Sequence, residues 1–260
     1  MLIATWNVNS VKSRFEHLKR VLTELRPDVL CLQELKCLDQ GFPTAEIGDL
    51  GYEAAVCGQK AFNGVAILSR HPLSDIRRGL GGDEEDQQAR YIEAVVSRPT
   101  GIVRVASIYL PNGNPVSTDK FGYKLAWMRR LESHARELLT QEEPLVLAGD
   151  YNVIPDERDV DDASAWIDDA LYRPESRAAF RRLLASGYTD AVRACDDRAR
   201  LYTFWDYQAG CWQRNKGIRI DHLLLSPQAA DRLLGVDIHK STRSWDKPSD
   251  HVPVSASLDL

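Results

Sequence analysis

Short apolar runs rich in β-branched residues alternate along the chain with longer segments of helical periodicity. Apolar residues with the spacing of one helix face predict a helix over residues 13–26 and another over residues 123–140. Pro174 and Pro227 suit first helical positions, so we predict a third helix from Pro174 to about Gly187 and a fourth opening at Ser226-Pro227. The apolar runs themselves predict these strands: Leu2–Trp6, Val29–Leu32, Val65–Ser69, Tyr91–Val96, Val103–Tyr109, Leu145–Leu147, His222–Leu225 and Val252–Leu258.

The order of these elements favours two packed sheets with helices outside them, in an α/β or α+β chain. A parallel dinucleotide-binding fold is disfavoured because no G-x-G-x-x-G motif follows the first strand. Several strands are also joined by loops too short for a crossover helix, which indicates mainly antiparallel pairing. No repeat, low-complexity tract or flexible linker interrupts the sequence, and we interpret residues 1–260 as one domain.

Composition narrows the classes of protein. No apolar run is long enough for a transmembrane helix and the first residues lack the features of a signal peptide, so we expect a cytoplasmic protein without a membrane partner. The five cysteines include no C-x-x-C pair, which argues against a disulfide framework or a zinc site. The formal charge of −5 leaves two interpretations open. Either nucleic acid is not the partner, or a local basic face and a metal ion overcome the acidic average.

Polar side chains stand repeatedly at the ends of the predicted strands. They are Asn7 and Asn9, Gln33 and Glu34, Tyr109 and Asn112, Asp150 and Asn152, Asp221, and Asp250 with His251. Taken singly, each is about as typical of a turn or a strand cap as of a functional site. If the strand ends converge on one rim, however, these side chains form a site rich in carboxylate and carboxamide groups.

Such a site would need a cation. The carboxylates of Glu34, Asp150, Asp221 and Asp250 would repel one another strongly at one rim unless a cation neutralised them. Oxygen ligands suit a hard cation, so we expect Mg²⁺, with Mn²⁺ able to substitute, rather than zinc. Because Mg²⁺ keeps several waters and takes only one or two protein carboxylates, Asn7 and Glu34 are a sufficient direct ligand set.

The ordered set of strand-end motifs resembles the endonuclease/exonuclease/phosphatase superfamily nearly from end to end. The motifs are Trp6-Asn7-Val8-Asn9, Leu32-Gln33-Glu34-Leu35-Lys36, Gly64-Val65-Ala66, Tyr109-Leu110-Pro111-Asn112, Gly149-Asp150-Tyr151-Asn152, Arg219-Ile220-Asp221 and Ser249-Asp250-His251. Gly58-Gln59-Lys60, Arg77-Arg78-Gly79 and Lys247-Pro248-Ser249 are similar to the bacterial exonuclease III branch. The resemblance implies a DNase I-like four-layer sandwich. It also implies a metal-dependent DNA repair phosphodiesterase that cuts 5′ to abasic sites and trims 3′ ends as a 3′→5′ exonuclease.

The resemblance assigns roles motif by motif. It implies metal-site roles for Asn7, Glu34, Asp150, Asn152, Asp250 and His251. Asp150 resembles the residue that activates or orients the attacking water, with Asn152 as its partner. His251 resembles a phosphate-binding histidine paired with Asp221, and Tyr109 resembles the tyrosine that approaches the scissile phosphate. Lys36 and Asn112 match positions near the phosphate, and Asn9 and Arg90 are further candidates for DNA contact.

An aromatic stretch, Tyr202–Tyr207, is followed by basic residues and resembles the segment that lines the abasic-sugar slot in such enzymes. The candidate contacts from this region are Phe204, Trp205, Arg214, Lys216, Ile218 and Ile220. Ile218 departs from relatives that have Trp at a wall position, which leaves the balance between abasic cleavage and 3′-trimming open. The implied partner is double-stranded DNA with abasic sites or blocked 3′ ends, bound by a monomer.

Other basic residues form clusters whose location the sequence leaves open. They are Lys12 and Arg14, Lys19 and Arg20, Lys124 with Arg129 and Arg130, and Lys240 with Arg243 and Lys247. They line a DNA groove if they lie near the rim, and otherwise form solvated faces of helices and loops. Two other functions also remain open. One is a phosphatase or phosphodiesterase for small esters on the same fold, and the other is a non-catalytic regulator that binds nucleic acid.

Overall fold

The computed structural model describes residues 1–260 and contains twelve strands and six α-helices. The strands are β1 (Leu2–Asn7), β2 (Val29–Gln33), β3 (Glu53–Cys57), β4 (Val65–Ser69), β5 (Leu73–Arg78), β6 (Tyr91–Arg98), β7 (Gly101–Tyr109), β8 (Leu145–Asp150), β9 (Thr189–Asp190), β10 (Asp221–Leu225), β11 (Leu233–Ile238) and β12 (Val254–Leu258). The helices are α1 (Phe15–Arg20), α2 (Thr44–Asp49), α3 (Asp119–Leu139), α4 (Pro174–Ala185), α5 (Ala191–Cys195) and α6 (Pro227–Ala230). No helix combines the length and the apolar character that crossing a membrane requires.

The strands form two six-stranded sheets with matching designs. The first has the order β11-β12-β1-β2-β4-β3, and the second has the order β5-β6-β7-β8-β10-β9. In each sheet one central pair is parallel, β1 with β2 and β7 with β8, and every other pair is antiparallel. The carboxyl ends of the parallel strands therefore emerge together at the centre of each sheet edge.

Register brings the polar strand ends into line. Asn7 at the end of β1 pairs with Gln33 at the end of β2. Tyr109 at the end of β7 pairs with Asp150 at the end of β8, and Asp150 also faces Asp221, which begins the antiparallel β10. The strand ends of both sheets thus present their polar residues on one rim.

Three hydrophobic clusters make this a four-layer structure. The largest, of 21 buried residues, lies between the sheets and takes side chains from both, including Cys31 and Val146. A second cluster of 19 residues packs α3 and α4 on the outer face of the second sheet. A third, of 17 residues, covers the outer face of the first sheet. Burial on both faces explains why the central strands are near-continuous apolar runs.

The predicted fold class is confirmed, and each predicted strand exists. The prediction missed β3, β5, β9 and β11, together with α2 and α5. All four missed strands lie at sheet edges. The side chains of β5 are largely exposed and β9 has only two residues, so neither carries the apolar signal of a buried strand, while Gly235 and Asp237 interrupt the apolar residues of β11. The predicted helix over 13–26 is α1 continued by a π-helical turn over Val21–Leu25, and it ends at Arg26 in the left-handed region, just before Pro27.

Candidate active site

The rim of the two sheets holds a hydrogen-bonded cluster that joins both of them. Asn7, on the first sheet, donates from Nδ2 to Glu34 Oε1 at 2.9 Å and to Asp150 Oδ2, on the second sheet, at 3.0 Å. The Tyr109 hydroxyl also donates to Glu34 Oε1, at 3.0 Å. The strand-end residues predicted to converge therefore do so, and a single amide spans the gap between the sheets.

A histidine–carboxylate pair lies beside this cluster. His251 Nδ1 is 2.9 Å from Asp221 Oδ2, and its other ring nitrogen, Nε2, is 3.7 Å from Asp150 Oδ2. Thr203 donates from its hydroxyl to the same Asp221 oxygen at 2.6 Å, and Trp6 Nε1 donates to the backbone carbonyl of His251 at 3.1 Å. Both the side chain and the backbone of His251 are thus fixed.

The backbone at the end of β8 depends on a glycine. A Cβ on Gly149 would fall 2.0 Å from the carbonyl oxygen of Ile108 on the neighbouring β7, so only glycine allows this approach. Immediately beyond it, Asn152 has φ +47°, and Glu34 at the corresponding place after β2 has φ +54°. Left-handed conformations of non-glycine residues cost energy and are concentrated at functional sites.

The two asparagines that follow β7 and β8 contact each other. Asn112 donates from Nδ2 to Asn152 Oδ1 at 3.1 Å, while the Asn152 backbone N–H donates to Asp150 Oδ1 at 2.9 Å. Behind them, Lys124 of α3 donates from Nζ to the backbone carbonyls of Asn112 and Asn152, at 3.0 and 2.5 Å. Lys124 is fully buried, and burial lowers its pKa to about 7.

Lys124 was not identified as part of the site from the sequence. The sequence predicts that Lys124, with Arg129 and Arg130, lines a groove or a solvated face. That prediction is wrong for Lys124, whose side chain is fully buried. Its helical spacing from the apolar residues of α3 gives no sign of the two carbonyl groups that it meets, because those groups come from loops distant in sequence.

The crowding of the carboxylates shifts the pKa values of Asp150 and His251. Burial raises the pKa of Asp150, and the charge of Asp221 raises it further, although His251 and the Asn7 hydrogen bond act in the other direction. Burial by itself would lower the pKa of His251, but Asp221, Asp150 and Asp250 outweigh it and the pKa is raised. His251 is therefore a cation at neutral pH, held among acidic groups.

The pKa of Glu34 is shifted in the opposite direction from the pKa of Asp150. Burial raises the pKa of its carboxyl, but the hydrogen bond from Asn7 and the neighbouring Lys36 outweigh burial, and the pKa is lowered. The Lys36 ammonium lies 2.9 Å from Glu34 Oε2. Tyr109, also in contact with Glu34, has its hydroxyl pKa raised well above the usual value, first by burial and then by Glu34 and Asp150. Tyr109 is therefore a neutral hydrogen-bond donor.

The donor set fits a divalent cation. Asp150, Asp221 and His251 each place one ligand atom within 4.8 Å of the others, and Asn7 and Glu34 adjoin this group. Oxygen dominates the set, and the crowding that raises the pKa of Asp150 is what a bound cation would relieve. These residues can hold a metal ion.

Asp250 and Asn9 form the outer edge of the site. Asn9 donates from Nδ2 to Asp250 Oδ1 at 3.0 Å, and its Oδ1 accepts from Lys36 Nζ at 2.5 Å. The chain of contacts continues from Lys36 to Glu34. Asn9, Lys36 and Asp250 are therefore part of the same network as the inner residues, as the sequence motifs predict.

The segment predicted to line a sugar slot is only partly exposed. The Phe204 ring lies 4.9 Å from the His251 ring and packs against a buried cluster that includes Ile218 and Ile220. A cavity of about 360 Å³ opens beside it, and Phe204 and Ile218 line this cavity together with Trp166 and Lys216. Ile220, at 2% exposure, lies beneath the cavity and does not line it.

The prediction that Trp205 contacts the substrate is wrong. Its side chain has no exposed surface and packs in a small core cluster with Tyr202 and Val252, with Nε1 donating to Asn215 at 3.2 Å. A ring without exposed surface cannot contact DNA in this conformation, so Trp205 supports the segment from below. Tyr207, two residues further along the chain, is 50% exposed and lies on the surface instead.

The remaining candidates differ in their contacts. Arg90 lies against the site: its guanidinium is 4.9 Å from the centre of the Tyr109 ring, and Nη1 donates to the Tyr109 carbonyl at 3.3 Å. Arg214 is exposed and donates to the carbonyl of Ala209 on its own loop. Lys216 is exposed at the mouth of the Phe204 cavity.

Comparison with known proteins decides the family. The sequence profile of the Endonuclease/Exonuclease/phosphatase family matches residues 4–251. The chain belongs to this family. It is 32% identical to exodeoxyribonuclease III of Haemophilus influenzae, over 99% of this chain and 100% of that protein. The family membership predicted from the strand-end motifs is confirmed.

Solved structures of family members agree with the fold. A 3′-phosphatase from Neisseria, NExo, bound to a product DNA hairpin, superposes with a TM-score of 0.96 at 38% identity, and both chains are covered completely. An AP endonuclease from Archaeoglobus fulgidus superposes with a TM-score of 0.95 at 33% identity, again over the whole of both chains. The predicted DNase I-like sandwich is confirmed, and the family and its named members identify the chain as a hydrolytic nuclease.

Proposed function

We propose that this nuclease repairs DNA, cutting the backbone 5′ to abasic sites and removing nucleotides or blocking groups from 3′ ends. One observation carries the proposal: Asn7 hydrogen-bonds to both Glu34 and Asp150 across the two sheets, and His251 Nε2 lies 3.7 Å from the same Asp150 oxygen. Its named relatives include an exodeoxyribonuclease III, an AP endonuclease and a 3′-phosphatase. Phosphodiester hydrolysis needs an aligned water and stabilised charge on the phosphoryl oxygens, and this site offers groups for both.

The side chains have distinct roles in this proposal. His251, cationic through its contact with Asp221, binds a phosphoryl oxygen. Asp150, which accepts hydrogen bonds from Asn7 and from the Asn152 backbone, orients the attacking water and accepts its proton. Asn152 donates a hydrogen bond to the phosphate or the water, and Tyr109 does so by turning its single hydroxyl proton away from Glu34. The other groups are already held by contacts within the protein, so their positions change little when the substrate binds.

The proposed cofactor is Mg²⁺, with Mn²⁺ able to substitute. Asn7 and Glu34 would hold it, and Asp150, Asn152 and Asp250 are proposed as further ligands, directly or through water. His251 would contact a phosphoryl oxygen instead of the ion, because a cationic imidazole has no free ring nitrogen to coordinate a metal. When bound, such an ion supplies charge stabilisation for the phosphoryl and departing oxygens. The acidic surplus of the rim would otherwise repel DNA, which is consistent with a need for the cation.

The proposed substrate is duplex DNA that carries an abasic site or a blocked 3′ end. The cavity beside Phe204 adjoins the phosphate-binding histidine and is walled by Ile218 and Trp166, which suits a sugar that lacks its base. Asn9, Lys36, Asn112, Arg90, Arg214 and Lys216 are the proposed polar and basic contacts to the DNA backbone. A monomer that acts in the cytoplasm remains part of the proposal.

The deciding experiment is incision of a duplex that contains one abasic analogue, with an undamaged duplex of the same sequence as control. We expect Mg²⁺-dependent cleavage at the analogue, inhibition by EDTA and cleavage about a hundredfold or more slower by the Asp150→Asn variant. Equal activity on inositol phosphates or other small esters would favour the alternative phosphatase function. Tight DNA binding without EDTA-sensitive cleavage would favour the alternative of a non-catalytic regulator.

A further inference from the structure

The segment Tyr202–Tyr207 has one aromatic ring on the surface, and that ring belongs to Tyr207. Its side chain is 50% exposed, whereas Tyr202 and Trp205 are fully buried. A single exposed ring is not by itself a sign of binding, since Phe62 is also exposed, so the case for Tyr207 depends on how its ring is held and where it lies. Neither the strand-end motifs nor the proposed chemistry gives this ring a role.

The Tyr207 ring is held in one orientation. Its hydroxyl donates to the backbone carbonyl of Pro248 at 2.9 Å. The same oxygen accepts from Arg14 Nη2 at 3.0 Å and from Asn9 Nδ2 at 3.4 Å. Three partners from two separate segments fix the hydroxyl, so little side-chain entropy remains to be lost when a ligand contacts the ring.

One face of the Tyr207 ring is covered and the other is free. The Arg243 guanidinium lies 5.1 Å from the ring centre, and Arg243 is only 7% exposed, with Nη2 donating to the Trp205 carbonyl at 3.1 Å. Because a buried group lies on the inner side of a half-exposed ring, the outer face is the one that meets solvent. A cation beneath one face of an aromatic ring is itself an attractive arrangement.

The ring stands at the edge of the candidate active site. Asn9, which contacts the Tyr207 hydroxyl, also donates to Asp250 and accepts from Lys36. Arg14 and Arg243 place two positive charges against the ring and its hydroxyl, with Asp250 and Asp206 close to them. A flat apolar face flanked by cations, next to a phosphate-binding site, is the combination that binds nucleobases of single strands and strand ends.

We propose that the outer face of Tyr207 stacks on a nucleobase whose own face is exposed, at a strand end or beside a missing base. The inference rests on the proposed function and deepens it by adding a means of recognising interrupted DNA. In a continuous duplex each base face is covered by the next base pair, so a fixed ring has nothing to stack on. At a 3′ end or next to an abasic position one face is open.

The test compares two DNA molecules with the same stem: a hairpin with a free 3′ end and a dumbbell closed at both ends. Binding of the full-length protein is measured by fluorescence anisotropy in EDTA, which prevents cleavage. We expect Tyr207→Ala to weaken binding to the hairpin about tenfold, as the loss of one stacking contact predicts, and to leave binding to the dumbbell within about twofold.

The matched control is Tyr207→Phe, which keeps the ring and should retain most of the preference for the open end. A 2-aminopurine placed at the 3′ terminus gives a second readout, since stacking on Tyr207 should quench it and Tyr207→Ala should relieve the quenching. Should Tyr207→Ala prove unfolded by circular dichroism, Tyr207→Leu replaces it, as a side chain of more similar bulk. Equal weakening on both DNA molecules, or no weakening on the hairpin, would overturn the proposal.

This outcome is independent of the proposed function. Cleavage of the abasic duplex by the unmodified enzyme in Mg²⁺ tests the nuclease, whereas the hairpin-to-dumbbell ratio in EDTA tests only the Tyr207 contact. If the unmodified protein cleaves, but the hairpin-to-dumbbell binding ratio is the same with tyrosine and with alanine at position 207, the proposed function stands and the proposal for Tyr207 is wrong.

Discussion

Two buried groups of charges flank the start of β10, and they are built differently. One consists of Asp159, Asp190 and Arg219, with Arg193 and His222 at its edge. Its arginine makes a bidentate pair with Asp159, at 2.7 and 3.1 Å, and a further bond to Asp190 at 2.8 Å. Positive and negative charges balance, and the pKa of both carboxyls is lowered because the two arginines and His222 outweigh burial.

The second group is the candidate active site, only two residues further along the chain. There Asp150, Asp221, Asp250 and Glu34 face His251 and Lys36, so acidic groups are in excess. Burial and the neighbouring carboxylate raise the pKa of Asp150 instead of lowering it. The comparison teaches that a balanced buried network holds the fold, whereas an unbalanced one is suited to bind a cation or to exchange a proton.

The largest expected effect is on the balanced group. Arg219→Met leaves Asp190 buried without an arginine side chain and Asp159 paired with Arg193 alone, and we expect the free energy of unfolding to fall by about 3–5 kcal/mol. Urea unfolding followed by circular dichroism measures it. Asp159→Asn, which keeps the volume and one hydrogen bond, serves as the milder variant if Arg219→Met does not fold. A loss below about 1 kcal/mol in both would show that the network is dispensable.

A change in the unbalanced group should act on turnover instead of stability. We expect Asp150→Asn to lower the rate of abasic-site incision about a hundredfold or more, equivalent to about 2.7 kcal/mol in the barrier. Its melting temperature should equal or exceed that of the unmodified protein, because the substitution removes a crowded negative charge. Near-normal turnover of the folded variant would contradict the role given to Asp150.

Metal binding should also distinguish the two groups of charges, through a smaller change in the stability of the folded protein. Mg²⁺ at ten times its dissociation constant should stabilise the folded protein by about 1.4 kcal/mol, provided that it binds only the native state. Thermal unfolding with and without EDTA measures the shift. Glu34→Gln should abolish the shift, whereas Asp159→Asn should keep it despite lower overall stability. An equal shift in the Glu34 variant would place the metal elsewhere.

The smallest expected effect is on how the stability of the protein changes at acid pH. Asp159 and Asp190 have folded pKa values lowered from 3.8, so their stabilisation is fully present above pH 3.8 and is lost as the pH falls through the lowered values. The difference in stability between the unmodified protein and Asp159→Asn should therefore be constant above about pH 4.5 and shrink below pH 3.8, by at most about 1.4 kcal/mol per pH unit. A gap that widens on acidification would contradict the lowered pKa.

Much of the site could be predicted because it lies where strands end. Asn7, Glu34, Asp150 and Asp221 each adjoin an apolar run, and buried central strands are the elements that a sequence marks most clearly. The rim follows from the parallel pairing of those strands. The family resemblance then added roles that spacing alone could not assign, as with the pairing of His251 and Asp221.

The parts that could not be predicted depend on contacts between distant segments. Lys124 has the appearance of a surface lysine on an amphipathic helix, and only the loops of Asn112 and Asn152 make it a buried donor. Trp205 and Tyr207 share one aromatic stretch, and their opposite exposure is set by a core cluster and by Arg14. The edge strand β11 is likewise defined by its pairing with β12 rather than by its own composition.

The amide of Asn7 touches a carboxylate from each sheet, so the reactive centre exists only while both sheets are packed together. Neither sheet alone contains the complete site, since each sheet contributes only some of its groups. Any partly opened state that separates the two sheets therefore breaks the Asn7 contacts and lacks the assembled site.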